Sequence, residues 1–307
     1  GCFVIGSINS IYMVAYDSFY PLLITEGNYS KAYSIASVLE TLSAVMVPVA
    51  TFIYNKAGIA PLLAGNALCF LIAAIAETRI KEEEKYIEQQ KQNLTAQQSS
   101  GRRLLLDIKE GFLYLSGEKG LLAVAAYFTF SCLAGGASQV ITLPYFKGTF
   151  ENGEYVYMLV WGMALVGRAM GGLLHYKVQL PTKHKYAIAL AVYIIISLSE
   201  GFYLYTAIPV MAILCFLNGV LGVTSYTIRI SATQSYVPDE KKGRFNGAFN
   251  MLNTVGSLTG QLVAGALTAV LLPRTVLTGF MMVAVIAAVV FIGGNRTAVS
   301  AIYNRQQ

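Results

Sequence analysis

Apolar runs of about 20 residues recur along this chain, and no other feature restricts its possible folds so strongly. Each run is long enough to cross a hydrocarbon core about 30 Å thick, at about 1.5 Å per helical residue. Nine are legible, at 1–23, 32–54, 58–78, 118–146, 155–176, 185–206, 208–230, 245–271 and 274–294. The chain is 55% hydrophobic and only 12% charged, too few charges for the surface of an ordinary soluble protein. The length and continuity of the runs predict helices rather than a barrel, whose strands would alternate over about 10 residues. The expected fold class is an all-α membrane protein, with the lipid bilayer as its first partner.

Lysine and arginine set the expected orientation, because basic residues collect in cytoplasmic connections. One set of connections holds Lys31, the eight basic residues of 79–119, then Arg168, Lys177, Lys183, Lys185, Arg229, Lys241, Lys242, Arg244, Arg296 and Arg305. The opposite set holds only Lys56, Lys147 and Arg274, so 19 of the 22 basic residues fall on one side. That side is expected to be cytoplasmic, with the C-terminus inside a cell (inner) membrane crossed many times. The net charge of +6 is then a consequence of topology, and no nucleic-acid partner is expected, since that would need a basic face on a folded module.

A faint internal repeat adds to this. A shift of 213 residues lays Ile24-Thr25-Glu26 on Val237-Pro238-Asp239, Lys31 on Arg244, Glu40 on Asn253 and Thr41 on Thr254. Such a period in an apolar chain predicts two related halves. Six runs follow the polar segment 79–117 and three precede it, and the chain opens apolar, with no initiator Met or basic leader. The expectation is a parent of twelve transmembrane helices in two six-helix halves, nine of them present. Residues 1–78 form a partial N-terminal half with three spans. Residues 79–117 form a cytoplasmic linker, whose stretch 102–117 suits an interfacial helix. Residues 118–307 form a C-terminal half with six spans and a short tail.

Polar residues inside apolar runs mark the candidate functional groups, because they are expensive in lipid. Glu40 lies about 12 Å into its run, on one face with Ser37, Thr41 and Ala44. It is read as a proton-coupling carboxylate or as a side chain reaching the inner headgroups. Asp17, near the end of the first run, is the second coupling candidate or a wetted, paired carboxylate. Ser131, Gly135, Ser138 and Thr142 share a face beside Gln139, and Asn218, Gly222, Ser225 and Arg229 share another. Each is either a close helix seam or a cavity wall. Asn246, Asn250 and Asn253 line a third face, next to Gly256 and Gly260 in a GxxxG spacing. The substrate-cavity candidates are Gln139, Ser138, Asn218, Ser225, Asn250 and Asn253. The cytoplasmic gate candidates are Arg168, Arg229, Asp239 and Arg244. Glu200 is read as structural, close to the outer surface. The four cysteines sit in separate runs without metal-type spacing, and His175 and His184 lie in a basic connection, so no metal site is expected.

Three local patterns carry a family resemblance: PLLITEGNYSKAYSI at 21–35, DIKEGFLYL with GLLAVAAYF across 107–128, and QSYVPDEKKGR at 234–244. In order and content these pieces resemble the Major Facilitator Superfamily, in its macrolide-efflux-like drug:proton antiporter branch, from the fourth transmembrane helix to the twelfth. The segment GGLLHYKVQLPTKHK at 171–185 keeps glycines and bases of the family's loop signature but lacks its acid. The resemblance implies alternating access, efflux of small amphipathic compounds, a proton gradient as energy source with no cofactor, and a monomer. An uptake permease, or a lysophospholipid or siderophore transporter of the same fold, is the alternative. No enzyme is expected: the residues hold no nucleophile–base constellation and no metal cluster.

Overall fold

Proline and glycine punctuate the apolar runs where the helices change direction. Pro21 stands in the short 3₁₀ turn that follows α1 (Cys2–Phe19). α2 (Tyr29–Ala57) ends at Gly58, whose φ of 76° is open to glycine and strained for other residues, and α3 (Ile59–Glu77) starts directly after it. Next come α4 (Ser100–Gly117), α5 (Lys119–Thr149), α6 (Gly153–Lys177) and α7 (Lys185–Phe202). Proline near the first turn opens both α8 (Ile208–Tyr236) and α10 (Pro273–Ala287), where the missing N–H costs nothing. Between them α9 (Asp239–Leu267) begins with Asp239 and Glu240, placed well for the helix dipole. α10 runs into a π-helical stretch at Ala288–Gly293, and α11 (Arg296–Tyr303) closes the chain. The computed structural model describes residues 2–24, 28–79, 100–177 and 180–305, and no strand occurs among them. Most of the expected polar linker, 79–101, lies outside the described residues.

Six helices are long and apolar enough to cross a membrane on their own: Ile59–Glu77, Lys119–Thr149, Gly153–Lys177, Thr182–Tyr205, Ile208–Tyr236 and Pro273–Gly293. The other three runs expected to span are also helical, as α1, α2 and α9. Their apolar character is diluted by Asp17, by Lys31, Glu40 and Lys56, and by the charged start and asparagines of α9. Polar helices of this kind need protein or a wet cavity around them. α1 does pack on α9, and α2 on α6 and α8.

Two glycine seams hold the later helices together. On α5, a Cβ at Gly136 would overlap the backbone carbonyl oxygen of Ser257 on α9. On α9, Cβ atoms at Gly256 and Gly260 would overlap those of Thr129 and Leu133 on α5. The GxxxG spacing read from the sequence is therefore a close-packing seam. α6 and α8 repeat the arrangement, with Gly167 against Phe216 and Gly219 against Ala164. Gly135 and Gly222, on the polar faces, meet nothing within 4 Å, so those faces are not the seams.

Apolar clusters fill both ends of this bundle. One gathers Leu121, Tyr127, Tyr193, Ile228, Phe245 and Tyr303, and the other Ile141, Phe146, Val160, Met211 and Leu277. α3 behaves differently. It packs against α2 and has no buried residue, with Leu63, Phe70 and Ile72 each more than half exposed. An all-round apolar, unburied helix is suited to lipid. α4 lies along α9, where Gly111 approaches the carbonyl of Arg244 and the Arg244 guanidinium pairs with Glu110 at 2.8 Å.

Candidate functional site

A ladder of aromatic rings crosses from the first helices to the later ones. Tyr12 and Tyr16, one turn apart on α1, have ring centroids 6.3 Å apart, and Tyr16 stacks on Tyr20 at 5.2 Å. Tyr20 meets Tyr33 of α2 edge-on at 5.5 Å and donates its hydroxyl proton to the Ala32 carbonyl at 3.2 Å. Tyr33 meets Tyr226 of α8 edge-on at 6.4 Å, and this pair joins the two helix groups. Alongside it, a Cβ at Gly172 of α6 would overlap the Val38 side chain of α2.

One turn beyond Tyr226 on the same face of α8 stands Arg229. Its guanidinium carbon lies over the rings of Phe249 at 4.9 Å, Phe128 at 5.0 Å and Tyr226 at 5.6 Å, from α9, α5 and α8. Its Nε is buried without a hydrogen-bond partner among the described residues. No carboxylate among them forms an ion pair with it. A charge in a spanning helix costs about 2.5–3.5 kcal/mol on insertion scales. Cation–π contacts of about 0.5–2 kcal/mol each offset part of that. Sequence spacing proposed Arg229 as a gate residue and gave no hint of the rings, which come from three helices.

The α9 asparagines follow the same side of the junction. Asn246 accepts a hydrogen bond from Gln234 Nε2 at 2.7 Å, Asn250 is half-buried, and Asn253 has a buried Oδ1 with no partner among the described residues. Ser225 is half-buried beside Tyr226. Gln139 is exposed on α5 and accepts from Gln261 Nε2 of α9 at 3.2 Å. α2 begins three residues before the apolar run at 32–54, which puts Glu40 about 16 Å along the helix from Tyr29 rather than about 12 Å. The side chains of Glu40 and Asp17 lie outside the described residues.

Ser138 and Asn218 are placed elsewhere, because both find partners on α7. Ser138 donates to Glu200 Oε1 at 3.0 Å and lies 3.3 Å from the Thr142 hydroxyl, which in turn accepts from Tyr203 at 3.4 Å. Asn218 accepts a short hydrogen bond from Ser199. Glu200, Asn218 and Arg168 line a common cavity of about 220 Å3 between α6, α7 and α8, together with Trp161, Tyr203 and Cys215. Glu200 thus stands in a polar, cavity-facing cluster, which its position near the end of an apolar run does not announce. The only sequence signal was its charge.

The four gate candidates fall in three separate places. Arg168 lines the Glu200 cavity, Arg229 stands among the rings, and Asp239 and Arg244 lie in the first turns of α9. Asp239 holds Lys242 at 2.7 Å, and Arg244 holds Glu110 of α4, so both tie down the turn that opens α9. His175, read as part of a connection, is instead inside α6, buried, with Nε2 2.7 Å from the Thr224 hydroxyl of α8. No group of His, Cys, Asp and Glu suited to a metal ion occurs among the described residues.

Two glycine-sealed helix pairs and a tyrosine-lined junction thus join helices long and apolar enough to cross a membrane. The model of one family, the Major Facilitator Superfamily, matches residues 1–261. The chain belongs to that superfamily. No curated protein and no solved structure matches it. As a Major Facilitator Superfamily chain it is a multi-pass membrane protein of a family whose members are typically secondary transporters.

Proposed function

We propose that the protein exports small amphipathic compounds in exchange for protons, by alternating access between two six-helix halves. What supports this reading most is the junction itself: Tyr33 of α2 on Tyr226 of α8, backed by Arg229 and the asparagine face of α9. The half-buried ring of Tyr226 offers an apolar surface to a substrate body, and amides and a guanidinium offer polar contacts that fix its orientation. The basic connections support an orientation in the cell membrane with the C-terminus and the loop before α9 on the cytoplasmic side. In this reading Asp239 and Arg244 brace the cytoplasmic end of α9. Gln139, Ser225, Asn250 and Asn253 line the path.

A carboxylate on the path takes up a proton on one side and releases it on the other, and substrate occupancy competes with that load. Glu40 is the leading group for this role and Asp17 the second. Glu200 joins them, because it faces a cavity with a hydroxyl on one oxygen. The test is transport of a fluorescent amphipathic dye in proteoliposomes under an imposed pH gradient. Gradient-driven transport is expected, lost on adding a protonophore, with Glu40→Gln binding dye but no longer responding to the gradient. Transport indifferent to protonophore would overturn proton coupling. A pH-driven Glu40→Gln would move the role to Asp17 or Glu200, told apart by the same assay on Asp17→Asn and Glu200→Gln.

A further inference from the structure

We infer that Arg229 and its rings form a binding subsite for the anionic head of an amphipathic substrate that carries an aromatic or flat apolar body. The inference rests on the reading of the junction as the substrate path, and it names the chemistry the path takes. Four observations carry it. Arg229 is a fixed positive charge within a spanning helix, with no carboxylate paired to it among the described residues. Its guanidinium carbon lies over the rings of Phe128, Tyr226 and Phe249, within 5.6 Å of each centroid. Its Nε is buried with no acceptor among the described residues. The residue as a whole is half-buried, as are Phe128 and Tyr226 beside it.

A planar guanidinium fits two oxygens of a carboxylate, phosphate or sulfonate side by side. A lone cation in low dielectric gains most from a ligand that brings the missing negative charge with it. A cationic ligand would meet Arg229 as a like charge, and a neutral one would leave the donors unmet. Next to the charge, the half-buried rings of Phe128 and Tyr226 supply the surface for an apolar body, with Phe249 buried behind them. One turn further along α9 from Phe249 is Asn253, with a buried carboxamide oxygen unbonded among the described residues. Its amide has a donor and an acceptor to give a second polar group on the same ligand.

The test uses the protein in lipid nanodiscs and three matched probes: 1-naphthoate, the neutral 1-naphthalenemethanol and the cation 1-naphthylmethylammonium. Calorimetric titration is expected to show naphthoate binding at least about tenfold more tightly than either partner. Arg229→Gln, which keeps a donor but removes the charge, is expected to lower naphthoate affinity by about tenfold and leave naphthalenemethanol within twofold. Phe128→Leu is expected to weaken all three probes alike, as loss of a shared ring should. Equal affinity for the three probes, or no naphthoate binding, overturns the inference in the unmodified protein even if Arg229→Gln fails to fold. Unchanged naphthoate affinity in a folded Arg229→Gln overturns it as well. A protein that fails these binding tests but still moves a dye under a pH gradient loses the anion subsite and keeps the transport reading.

Discussion

Gly260 and Gly265 lie on the same helix, five residues apart, and the same substitution should act on them in opposite directions. A methyl group at Gly260 would enter the backbone carbonyl oxygen of Leu133 on α5. Backbone cannot rotate away as a side-chain tip can, so the two helices must separate, at a cost of about 1–3 kcal/mol for overpacking of this kind. A methyl group at Gly265 meets nothing within 4 Å, and alanine there gains up to about 1 kcal/mol in helix propensity. The propensity gain is common to both positions, so Gly260→Ala and Gly265→Ala should differ by the overpacking cost, roughly 1–3 kcal/mol, the first destabilising, the second neutral or stabilising. The assay is equilibrium unfolding in mixed micelles with increasing denaturing detergent, followed by far-ultraviolet circular dichroism. Gly136→Ala, on the facing helix against Ser257, should resemble Gly260→Ala. The pair together should cost less than the sum, because either change alone already parts α5 from α9. If Gly260→Ala and Gly265→Ala unfolded within about 0.5 kcal/mol of each other, the seam would not be the tight contact argued for.

Three further outcomes follow from the contacts described. Ser138→Ala should cost about 1 kcal/mol or more by removing the donor to Glu200, whereas Glu200→Gln, which keeps an acceptor, should cost less in the same unfolding assay. Glu110→Gln should cost no more than about 1 kcal/mol, and half-molar salt should shrink the difference, because the Arg244–Glu110 pair is partly exposed. A membrane-impermeant maleimide added outside cells should label Lys147→Cys and spare Lys241→Cys, and the reverse pattern would invert the proposed orientation.

The helices were legible because hydropathy and length alone decide them in a bilayer, and the GxxxG spacing at Gly256 and Gly260 identified its seam in advance. Partners were not legible, since spacing along one helix says which residues share a face and not what that face meets. The face of Ser131, Gly135, Ser138 and Thr142 was open to two readings, and neighbouring Gly136 turned out to form the seam. Glu200 looked structural because its donor, Ser138, is 62 residues away on another helix. The rings around Arg229 come from α5, α8 and α9, and no local pattern ties them together. The polar content of α1, α2 and α9 points the other way: it weakens them as membrane spans by composition while marking them as helices that meet at the junction.

Alternating access requires that the contact between Tyr33 of α2 and Tyr226 of α8 break in every cycle. Replacing both by cysteine, with the four native cysteines removed, allows a short bifunctional thiosulfonate reagent to hold α2 against α8 across a gap now spanned by rings 6.4 Å apart. The uncross-linked variant serves as the reference for dye transport in proteoliposomes. The account predicts that cross-linking lowers transport at least about tenfold and that a reducing agent restores it. Undiminished transport with the pair fully cross-linked would contradict it.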